Sequence, residues 1–549
     1  MQESVPNASV VQATFVATLI DEWYRLGLRD VVICPGSRST PLTVAFAAHG
    51  GVAMNVRIDE RSAAFFALGR ALRTRRPVAI VVTSGTAAAE VHAAVAEADL
   101  AQVPLMVLSA DRPPELHAVG APQTIDQQRL YGSRVRLYEE PGVARLEASA
   151  SWRPLARRLW RHSRGDSALA GPVHLNAAFV EPLLAAPLAL PPASEDVVID
   201  VREVAAAPID VSGQRVMCVV GSGTPPEVVA AAREANWVVL GDATARGALA
   251  YGDPLVRHDV IWESLRPEVI VRLGGVPASK FLAQRLLTSG VAVIGLEGAG
   301  PVADPDAVLT RRVRAIPDAY NRAHQGSRQY AQLWEEASAW LGGRLEEHWG
   351  EELDEILVAR IVVRAANAAD CPLVLGSSMP VRDVEWWSEP RQSAVYANRG
   401  ANGIDGVVST FLGVAQGSPS LALVGDVTML HDVSALVESA GESTNAVLVV
   451  SDNGGGGIFS FLAQARQLPA AQFDELFATP RHHDLAALAR AFGHHGETVS
   501  SASGLRDALE RGLDRPGLSV VVAAVPPRER NVSRHEELNA AIAQWWATR

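Results

Sequence analysis

The sequence contains little cysteine and little positive charge. Its three cysteines, Cys34, Cys218 and Cys371, lie far apart in a chain of 549 residues. An odd, unclustered set argues against a disulfide framework or a zinc site and indicates reduced thiols in a cytoplasmic protein. The formal net charge is −12, and no lysine-rich tract occurs. A surface that binds nucleic acid or an anionic membrane is therefore disfavoured.

Long hydrophobic runs are also missing. No apolar run reaches the ~18 residues that a membrane helix requires, and the first thirty residues lack the basic start and apolar core of an export signal. With 48% hydrophobic and 20% charged residues, the composition is that of an ordinary globular protein. At about 150 residues per domain, the length suggests three or four domains.

Strand and helix patterns alternate along the chain. Apolar strand-like runs between amphipathic helices are typical of parallel sheets that carry helices on both faces. Such runs include DVVICPG, PVAIVVTSG and VPLMVLSA, then RVMCVVGSG, and later LALVGD, AVLVVSDN and LSVVVAAV. We predict an α/β fold of three doubly wound parallel-sheet domains, at residues 1–185, 186–345 and 346–549. The stretch 181–196, rich in proline and alanine, is interpreted as a linker.

The most specific chemical signal is the segment LALVGDVTMLHDVSALVESAGESTNAVLVVSDNGGGGIF, residues 421–459. One apolar strand ends at Asp426, a second ends just before Asn453, and four glycines follow. In a parallel sheet both strand ends open on the same edge, so the two side chains can converge. A carboxylate and an amide oxygen beside a glycine loop suit Mg²⁺ holding a diphosphate. The alternative is that Asp426 only caps a helix and the glycines form a plain turn.

This segment resembles the cofactor motif of thiamine-diphosphate enzymes, in which Gly-Asp and a downstream Asn hold Mg²⁺ and the diphosphate. The common pattern is Gly-Asp-Gly followed by Asn-Asn, whereas Val427 and Asp452 occupy the third and penultimate places here. The string GDVTMLHD is similar to one branch, the 2-succinyl-5-enolpyruvyl-6-hydroxy-3-cyclohexene-1-carboxylate synthase family. The strings CPGSRSTPL, DERS, SADRPPEL, QTIDQ and NRGANGIDG agree with the same branch, in matching order.

The resemblance implies thiamine diphosphate and Mg²⁺, or Mn²⁺, as cofactors. The implied metal ligands are Asp426, Asn453 and Gly455, and the cofactor contacts are these three with Glu60, Ile404 and Gly456. Glu60 is also the implied catalytic group, which exchanges a proton with N1′ of the aminopyrimidine. Taken alone, NVRIDERSAAFFALGRAL favours Glu60 as a first-turn acid that complements the helix dipole.

The resemblance further implies decarboxylation of 2-oxoglutarate and addition of the succinyl carbanion equivalent to isochorismate, in menaquinone biosynthesis. Both substrates are dicarboxylates, and the forked donors of arginine are the best carboxylate receptor. The positions that match substrate contacts are Ser37, Arg38, Arg112, Gln123, Lys280, Ser378, Arg382, Arg399, Ile458, Phe459 and Leu462. Each arginine is alternatively a solvated surface charge, and each apolar residue is alternatively core packing.

An obligate homodimer, commonly paired into a homotetramer, is implied because one chain of the family holds the pyrimidine and the other the diphosphate. Two other functions stay open: another thiamine-diphosphate decarboxylase or carboligase related to acetolactate synthase, and a non-catalytic nucleotide-sensing or scaffold protein. The string VVGSGTPPE, followed by Asp242, mimics a dinucleotide fingerprint, but prolines replace the residues leading to its third glycine, so NAD binding is disfavoured.

Overall fold

The computed structural model describes residues 7–166, 169–193, 209–297, 300, 302–439 and 444–548. Its strands form three sheets in which every pairing is parallel, which confirms the predicted α/β fold class. The strands are β1 Asp30–Ile33, β2 Ala53–Val56, β3 Val78–Val82, β4 Leu105–Asp111, β5 Tyr138–Glu139, β6 Pro172–Ala178, β7 Val216–Val220, β8 Val238–Gly241, β9 Val269–Leu273, β10 Ala292–Leu296, β11 Arg311–Val313, β12 Leu373–Leu375, β13 Val395–Ala397, β14 Ser420–Gly425, β15 Ala446–Asp452, β16 His495–Val499 and β17 Leu518–Ala524.

The helices alternate with these strands and supply the crossover connections that parallel pairing requires. They are α1 Ala8–Leu26, α2 Thr40–His49, α3 Glu60–Thr74, α4 Thr86–Glu90, α5 His92–Ala101, α6 Trp152–Arg164, α7 Pro226–Glu234, α8 Gly252–Arg257, α9 Asp259–Ser264, α10 Lys280–Thr288, α11 Arg328–Glu346, α12 Glu355–Ala368, α13 Met379–Trp387, α14 Val407–Ala415, α15 Asp426–His431, α16 Ser434–Glu438, α17 Gln464–Gln467, α18 Ala470–Phe473, α19 Leu485–Ala491, α20 Ala502–Asp514 and α21 Arg528–Ala547.

The first and third sheets share one topology. Their strand orders are β2-β1-β3-β4-β6-β5 and β13-β12-β14-β15-β17-β16, while the middle sheet has the order β11-β10-β9-β7-β8. In the first sheet the direction of winding changes between β1 and β3, and in the third between β12 and β14. Ligands of open parallel sheets bind in the crevice at such a point, beyond the carboxyl ends of the strands.

The chain divides into two compact units. Unit 1 comprises residues 1–200 together with Asn398–Gln416 and Asp432–Ser439, and it contains the first sheet. Unit 2 comprises the remaining residues and contains the second and third sheets. Unit 1 thus includes two short segments that our boundaries assign to the third domain, and those boundaries stay a prediction.

In unit 1, helices α3 and α14 approach each other closely. A Cβ atom on Gly69 would lie 2.0 Å from the carbonyl oxygen of Thr410, and one on Gly413 would lie 2.1 Å from that of Phe66. Glycine is required at both positions because any side chain would overlap the opposite backbone. The hydroxyl groups of Ser62 and Ser409 form a buried hydrogen bond of 2.8 Å across the same contact.

Strand β6 is buried along its whole length beside β4, although its sequence PVHLNAA was not predicted as a strand. Its polar residues weaken the apolar pattern, yet they are buried with partners. Ser109 Oγ lies 2.7 Å from His174 Nε2 and donates to Asn176 Oδ1 at 2.9 Å. Gln127 Nε2 also donates to Asn176 Oδ1, at 2.8 Å. These hydrogen bonds replace those lost with water, so a polar strand is tolerated inside the unit.

Residues 181–193 of the predicted linker contain no helix or strand, and residues 194–196 lie outside the described residues. None of the helices in the described part of the chain combines the length and apolar character needed to cross a membrane.

Candidate active site

The winding change of the first sheet opens into a cleft of about 590 Å³. Three predicted site residues, Ser37, Glu60 and Gln123, line it together. Its other lining residues are Pro35, Gly36, Asp59, Arg61, Thr83, Thr86, Ala87 and Glu90. The residues after β1 and after β3 meet here, as expected for a ligand crevice.

Glu60 is the first residue of α3, and it also lines the cleft. Asp59 caps the helix by accepting the Ser62 N–H at 3.0 Å, which leaves Glu60 in the first turn facing the cleft. Burial raises the pKa of Glu60, and the nearby carboxylates of Asp59, Glu90 and Glu438 raise it further. A glutamate that keeps its proton to higher pH is suited to proton exchange near neutral pH.

The turn that leads into α3 is held by a residue that sequence reasoning missed. Glu438 Oε1 accepts the backbone N–H of Ile58 at 2.8 Å and that of Asp59 at 3.0 Å. Nearby, buried Asp432 accepts the N–H of Ser409 at 2.7 Å and forms an ion pair with Arg61 at 3.4 Å. The segment 432–438 thereby fixes the position from which Glu60 faces the cleft.

Two predicted substrate residues of unit 1, Arg38 and Arg112, are not among the residues that line the described cleft. Arg38 is buried and donates to the carbonyl oxygen of Phe179 at 3.0 Å and to Glu181 at 3.2 Å. Arg112 donates to Ser84 Oγ. Burial lowers the pKa of Arg112, and repulsion from Arg38 lowers it further.

The loop that carries Arg399 and Ile404 is also anchored within unit 1. Glu97 accepts the backbone N–H groups of Gly400 at 2.7 Å and Ala401 at 2.6 Å. Burial raises the pKa of Glu97, and these two hydrogen bonds oppose that effect. Arg399 donates to Asn402 Oδ1, and Ile404 is half-buried.

In unit 2, the edge of the third sheet brings the predicted metal ligands together. Gly425 pairs with Ser451 in the β14–β15 register, so Asp426 and Asn453 leave adjacent strands at almost the same level. Asp426 Oδ1 accepts the N–H of Val427 at 2.8 Å. Burial raises the pKa of Asp426 to about 6.

Two oxygen atoms at this edge fit a bound cation. Asp426 Oδ2 and Asn453 Oδ1 are buried and have no hydrogen-bond partner among the described residues. Buried polar atoms in native proteins are nearly always paired, so two orphaned oxygens on adjacent strand ends point to a missing positive partner. Carboxylate and amide oxygens suit Mg²⁺ or Mn²⁺, so the chemistry of these two side chains fits this ion.

The glycine loop that follows has a conformation that other residues rarely adopt. Gly454 and Gly455 have φ values of 76° and 135°, and a Cβ on Gly455 would lie 2.4 Å from the Ala478 carbonyl oxygen. The loop continues into a 3₁₀ turn, Gly457–Phe461, which contains Ile458 and Phe459.

Beyond this turn, the apolar candidates have mixed environments. Ile458 packs against the core of unit 2, and Phe459 contacts the ring of Phe477 with 5.8 Å between centroids. Leu462 follows the turn and is half-buried. Ile458 is only partly buried, and the role of all three residues in substrate binding stays a prediction.

The remaining candidates flank the winding change of the third sheet or lie in the middle sheet. Ser378 has a φ of 75°, a strained value for a residue with a side chain. Arg382 donates to the carbonyl oxygen of Ser378 at 2.6 Å.

Lys280 begins α10 and is exposed. Phe281 is 43% exposed, and the Arg257 guanidinium lies 4.2 Å from its ring centroid.

Comparison with known proteins finds a matching family model for each of two parts of the chain. Residues 13–130 match the family model described as thiamine pyrophosphate enzyme, N-terminal TPP binding domain. Residues 380–523 match the one described as thiamine pyrophosphate enzyme, C-terminal TPP binding domain. Thiamine pyrophosphate is another name for thiamine diphosphate.

Full-length relatives share one name, 2-succinyl-5-enolpyruvyl-6-hydroxy-3-cyclohexene-1-carboxylate synthase. The protein from Saccharopolyspora erythraea is 38% identical over 98% of this chain and 99% of its own. The one from Myxococcus xanthus is 36% identical over 96% of each chain. The one from Bacillus velezensis is 32% identical over 96% of this chain and 98% of its own.

Proposed function

The chain belongs to the 2-succinyl-5-enolpyruvyl-6-hydroxy-3-cyclohexene-1-carboxylate synthase family of thiamine pyrophosphate enzymes, and from this membership we propose its reaction. It is a transferase of menaquinone biosynthesis that decarboxylates 2-oxoglutarate and adds the succinyl unit to isochorismate. The products are 2-succinyl-5-enolpyruvyl-6-hydroxy-3-cyclohexene-1-carboxylate and CO₂.

Thiamine diphosphate supplies the carbanion chemistry for both half-reactions when it is bound. The proposed part of Glu60 is proton exchange with N1′ of the aminopyrimidine. Its place at the start of α3 supports this role, because the helix holds the carboxyl group towards the cleft, and its raised pKa keeps it protonated to higher pH.

Asp426, Asn453 and Gly455 are proposed to hold the divalent cation, and Gly456 and Ile404 to contact the cofactor. The orphaned oxygens of Asp426 and Asn453 support the first assignment. Gly454 and Gly455 have φ values of 76° and 135°, so the loop directly after Asn453 has a backbone conformation that only glycine adopts readily.

One observation carries the substrate class, the burial of the cation Arg38 directly after the cleft residue Ser37. The forked donors of a guanidinium are suited to a carboxylate, and both proposed substrates are dicarboxylates. We propose that Arg38 and Arg112 bind substrate carboxylates with Arg382, Arg399 and Lys280. Pyruvate, with a single carboxylate, would use fewer of these cations, which argues against an activity related to acetolactate synthase.

An obligate homodimer, paired into a homotetramer, is proposed on the resemblance, with each cofactor shared by two chains. A cytoplasmic location is proposed as well, and the three buried free thiols Cys34, Cys218 and Cys371 support it. The proposed domain roles are pyrimidine binding for residues 1–185 and diphosphate binding for residues 346–549, with a Rossmann-like domain between them.

The test supplies apo-protein with Mg²⁺, thiamine diphosphate and 2-oxoglutarate, with and without isochorismate, and follows CO₂ and the adduct. Isochorismate-dependent adduct formation is the expected result. Equal turnover of pyruvate would overturn the substrate assignment, and absence of any turnover would favour a non-catalytic protein. Arg112→Ala should raise KM for 2-oxoglutarate, whereas the exposed control Arg76→Ala should not.

A further inference from the structure

We propose that Glu355 is a positioning residue that turns the side-chain amide of Asn453 so that its oxygen, not its nitrogen, faces the bound cation. The inference rests on the cation site of the proposed function and adds to it a residue outside the predicted ligand set. No local sequence signal identifies Glu355, because it contacts Asn453 across 98 positions of the chain.

Helix α12 holds Glu355 rigidly at its first position. Asp354 caps the helix by accepting the Leu357 N–H at 2.7 Å. The same Asp354 side chain accepts a hydrogen bond from Arg534 at 3.0 Å. Glu355 itself is only 6% exposed, so its carboxyl group has little freedom to move.

The contact with Asn453 decides which end of the amide faces the cation site. Asn453 Nδ2 donates to Glu355 Oε1 at 2.9 Å, and both side chains are buried. The opposite atom, Asn453 Oδ1, is the one without a partner. A carboxylate oxygen can only accept a hydrogen bond, so the Glu355 carboxylate requires the amide nitrogen of Asn453 to face it.

Loss of this contact would free the amide to rotate. An Asn side chain that turns over presents NH₂ groups, which are donors and cannot ligate a cation. The orientation of the amide therefore decides whether Asn453 ligates the cation through its oxygen or repels it through its NH₂ group. Residues that hydrogen-bond metal ligands commonly fix the orientation of those ligands. Removing such a residue typically weakens metal binding by ~10–100-fold.

The surroundings of Glu355 argue against a role in stability alone. Among the described residues Glu355 has no ion-pair partner. The carboxyl groups of Asp383, Asp426 and Asp354 instead repel its charged form. A carboxyl group buried near three others makes folding less favourable. Its presence here therefore calls for a reason other than stability. Orientation of a cation ligand provides that reason.

The experiment measures cation affinity directly. The intact full-length protein is saturated with thiamine diphosphate and titrated with Mn²⁺, and free Mn²⁺ is followed by electron paramagnetic resonance. Glu355→Leu removes the acceptor and keeps the volume, Glu355→Gln keeps an acceptor oxygen, and Glu351→Gln alters an exposed glutamate four positions earlier. Thermal melting of the cofactor-free proteins reports folding separately.

We expect Glu355→Leu to weaken Mn²⁺ binding by ~10–100-fold with little loss of melting temperature. Glu355→Gln should regain most of the affinity, and Glu351→Gln should match the wild type. A folded Glu355→Leu protein with wild-type Mn²⁺ affinity would overturn the inference, as would a lowered melting temperature with unchanged affinity. If that protein does not fold, Glu355→Ala replaces it with the same expectation.

The wild type and the Glu355→Leu protein test different proposals. If the wild-type protein itself does not bind Mn²⁺ in the presence of thiamine diphosphate, the cation site of the proposed function is wrong. If the wild type binds Mn²⁺ and Glu355→Leu binds it equally, only the role of Glu355 is wrong.

Discussion

The carboxylate of Glu438 accepts the backbone N–H of Asp59 at 3.0 Å, although 379 positions of sequence separate the two residues. The same oxygen accepts the N–H of Ile58 at 2.8 Å. One side chain thus fixes the turn from which α3 and Glu60 begin. The orientation of the proposed catalytic carboxyl group of Glu60 therefore depends on a residue that is distant in the sequence.

Replacing this acceptor should impair turnover more than binding. Glu438→Ala frees two backbone N–H groups, and small misplacement of a catalytic group is costly, so we expect kcat to fall about tenfold or more with little change in KM. Glu438→Gln retains an acceptor oxygen and should keep most of the activity. Steady-state kinetics with isochorismate check this, and an Ala variant with wild-type kcat would contradict it.

Glu60→Gln tests the proton exchange itself. The amide keeps the size of the side chain and cannot exchange the proton, so kcat should fall by ~10²–10⁴-fold while the melting temperature stays unchanged. Glu90→Gln, which alters another carboxyl group lining the cleft, is the matched control and should be far milder. An active Glu60→Gln enzyme would leave Glu60 as only a first-turn acid.

Co-expression of two inactive variants tests whether two chains share each cofactor. Glu60→Gln and Asp426→Ala should each be inactive alone. If the two residues act on one cofactor from different chains, mixed dimers contain one intact site and regain part of the activity. Tagged, purified heterodimers provide the measurement, and size-exclusion chromatography with light scattering gives the oligomer. Heterodimers as inactive as their parents would rule out a shared site.

The close contact of α3 and α14 predicts a stability effect. Gly69→Ala and Gly413→Ala force a methyl group against opposing backbone, so each should lower the free energy of unfolding by ~1–3 kcal/mol. Gly343→Ala in α11 meets no atom within 4 Å and should be neutral or stabilise by ~0.5–1 kcal/mol. Urea denaturation distinguishes them, and a Gly69→Ala protein as stable as the wild type would show that the helices can separate without cost.

Because His174 is buried, the free energy of unfolding should depend on pH, and the direction of that dependence follows from the pKa of His174. Burial lowers the pKa of His174 to about 3, against about 6.5 in an unfolded chain. The stability that the neutral imidazole contributes is therefore complete above about pH 6.5 and is lost as the pH falls towards 3, at about 1.4 kcal/mol per pH unit. His174→Gln lacks this dependence.

The measurement compares the free energies of unfolding of the wild type and His174→Gln at pH 7.5 and pH 5. The difference between the two proteins should shift by about 2 kcal/mol in favour of the variant at the lower pH. A constant difference would mean that His174 protonates in the folded protein.

Sequence patterns predicted the continuous apolar strands but not those with buried polar residues. The run Val78–Val82 is apolar throughout, and its place in a sheet follows directly. Strand β6 was missed because His174 and Asn176 break the pattern, and their hydrogen-bond partners are distant in sequence. Periodicity records which residues avoid water and carries no information about such pairing.

The same limit applies to the candidate site. Ser37, Glu60 and Gln123 were predicted from motifs, and the structure places them in one cleft. The glutamates that support these motifs, Glu97, Glu355 and Glu438, have no motif of their own. Each contacts a backbone or side-chain group between 98 and 380 positions away, so only the folded chain identifies them.

Because α14 and residues 432–439 belong to unit 1, a ribosome must synthesise residues 201–397 before that unit is complete. During this interval α3 lacks its contact with α14, and the face of α3 that contains Gly69 stays open to solvent or to chaperones. Pairings over such sequence separations form slowly, and exposed intermediates are prone to aggregate. A fragment that stops at Asp200 would remain permanently in this state, so fragments for expression have to extend through residue 439.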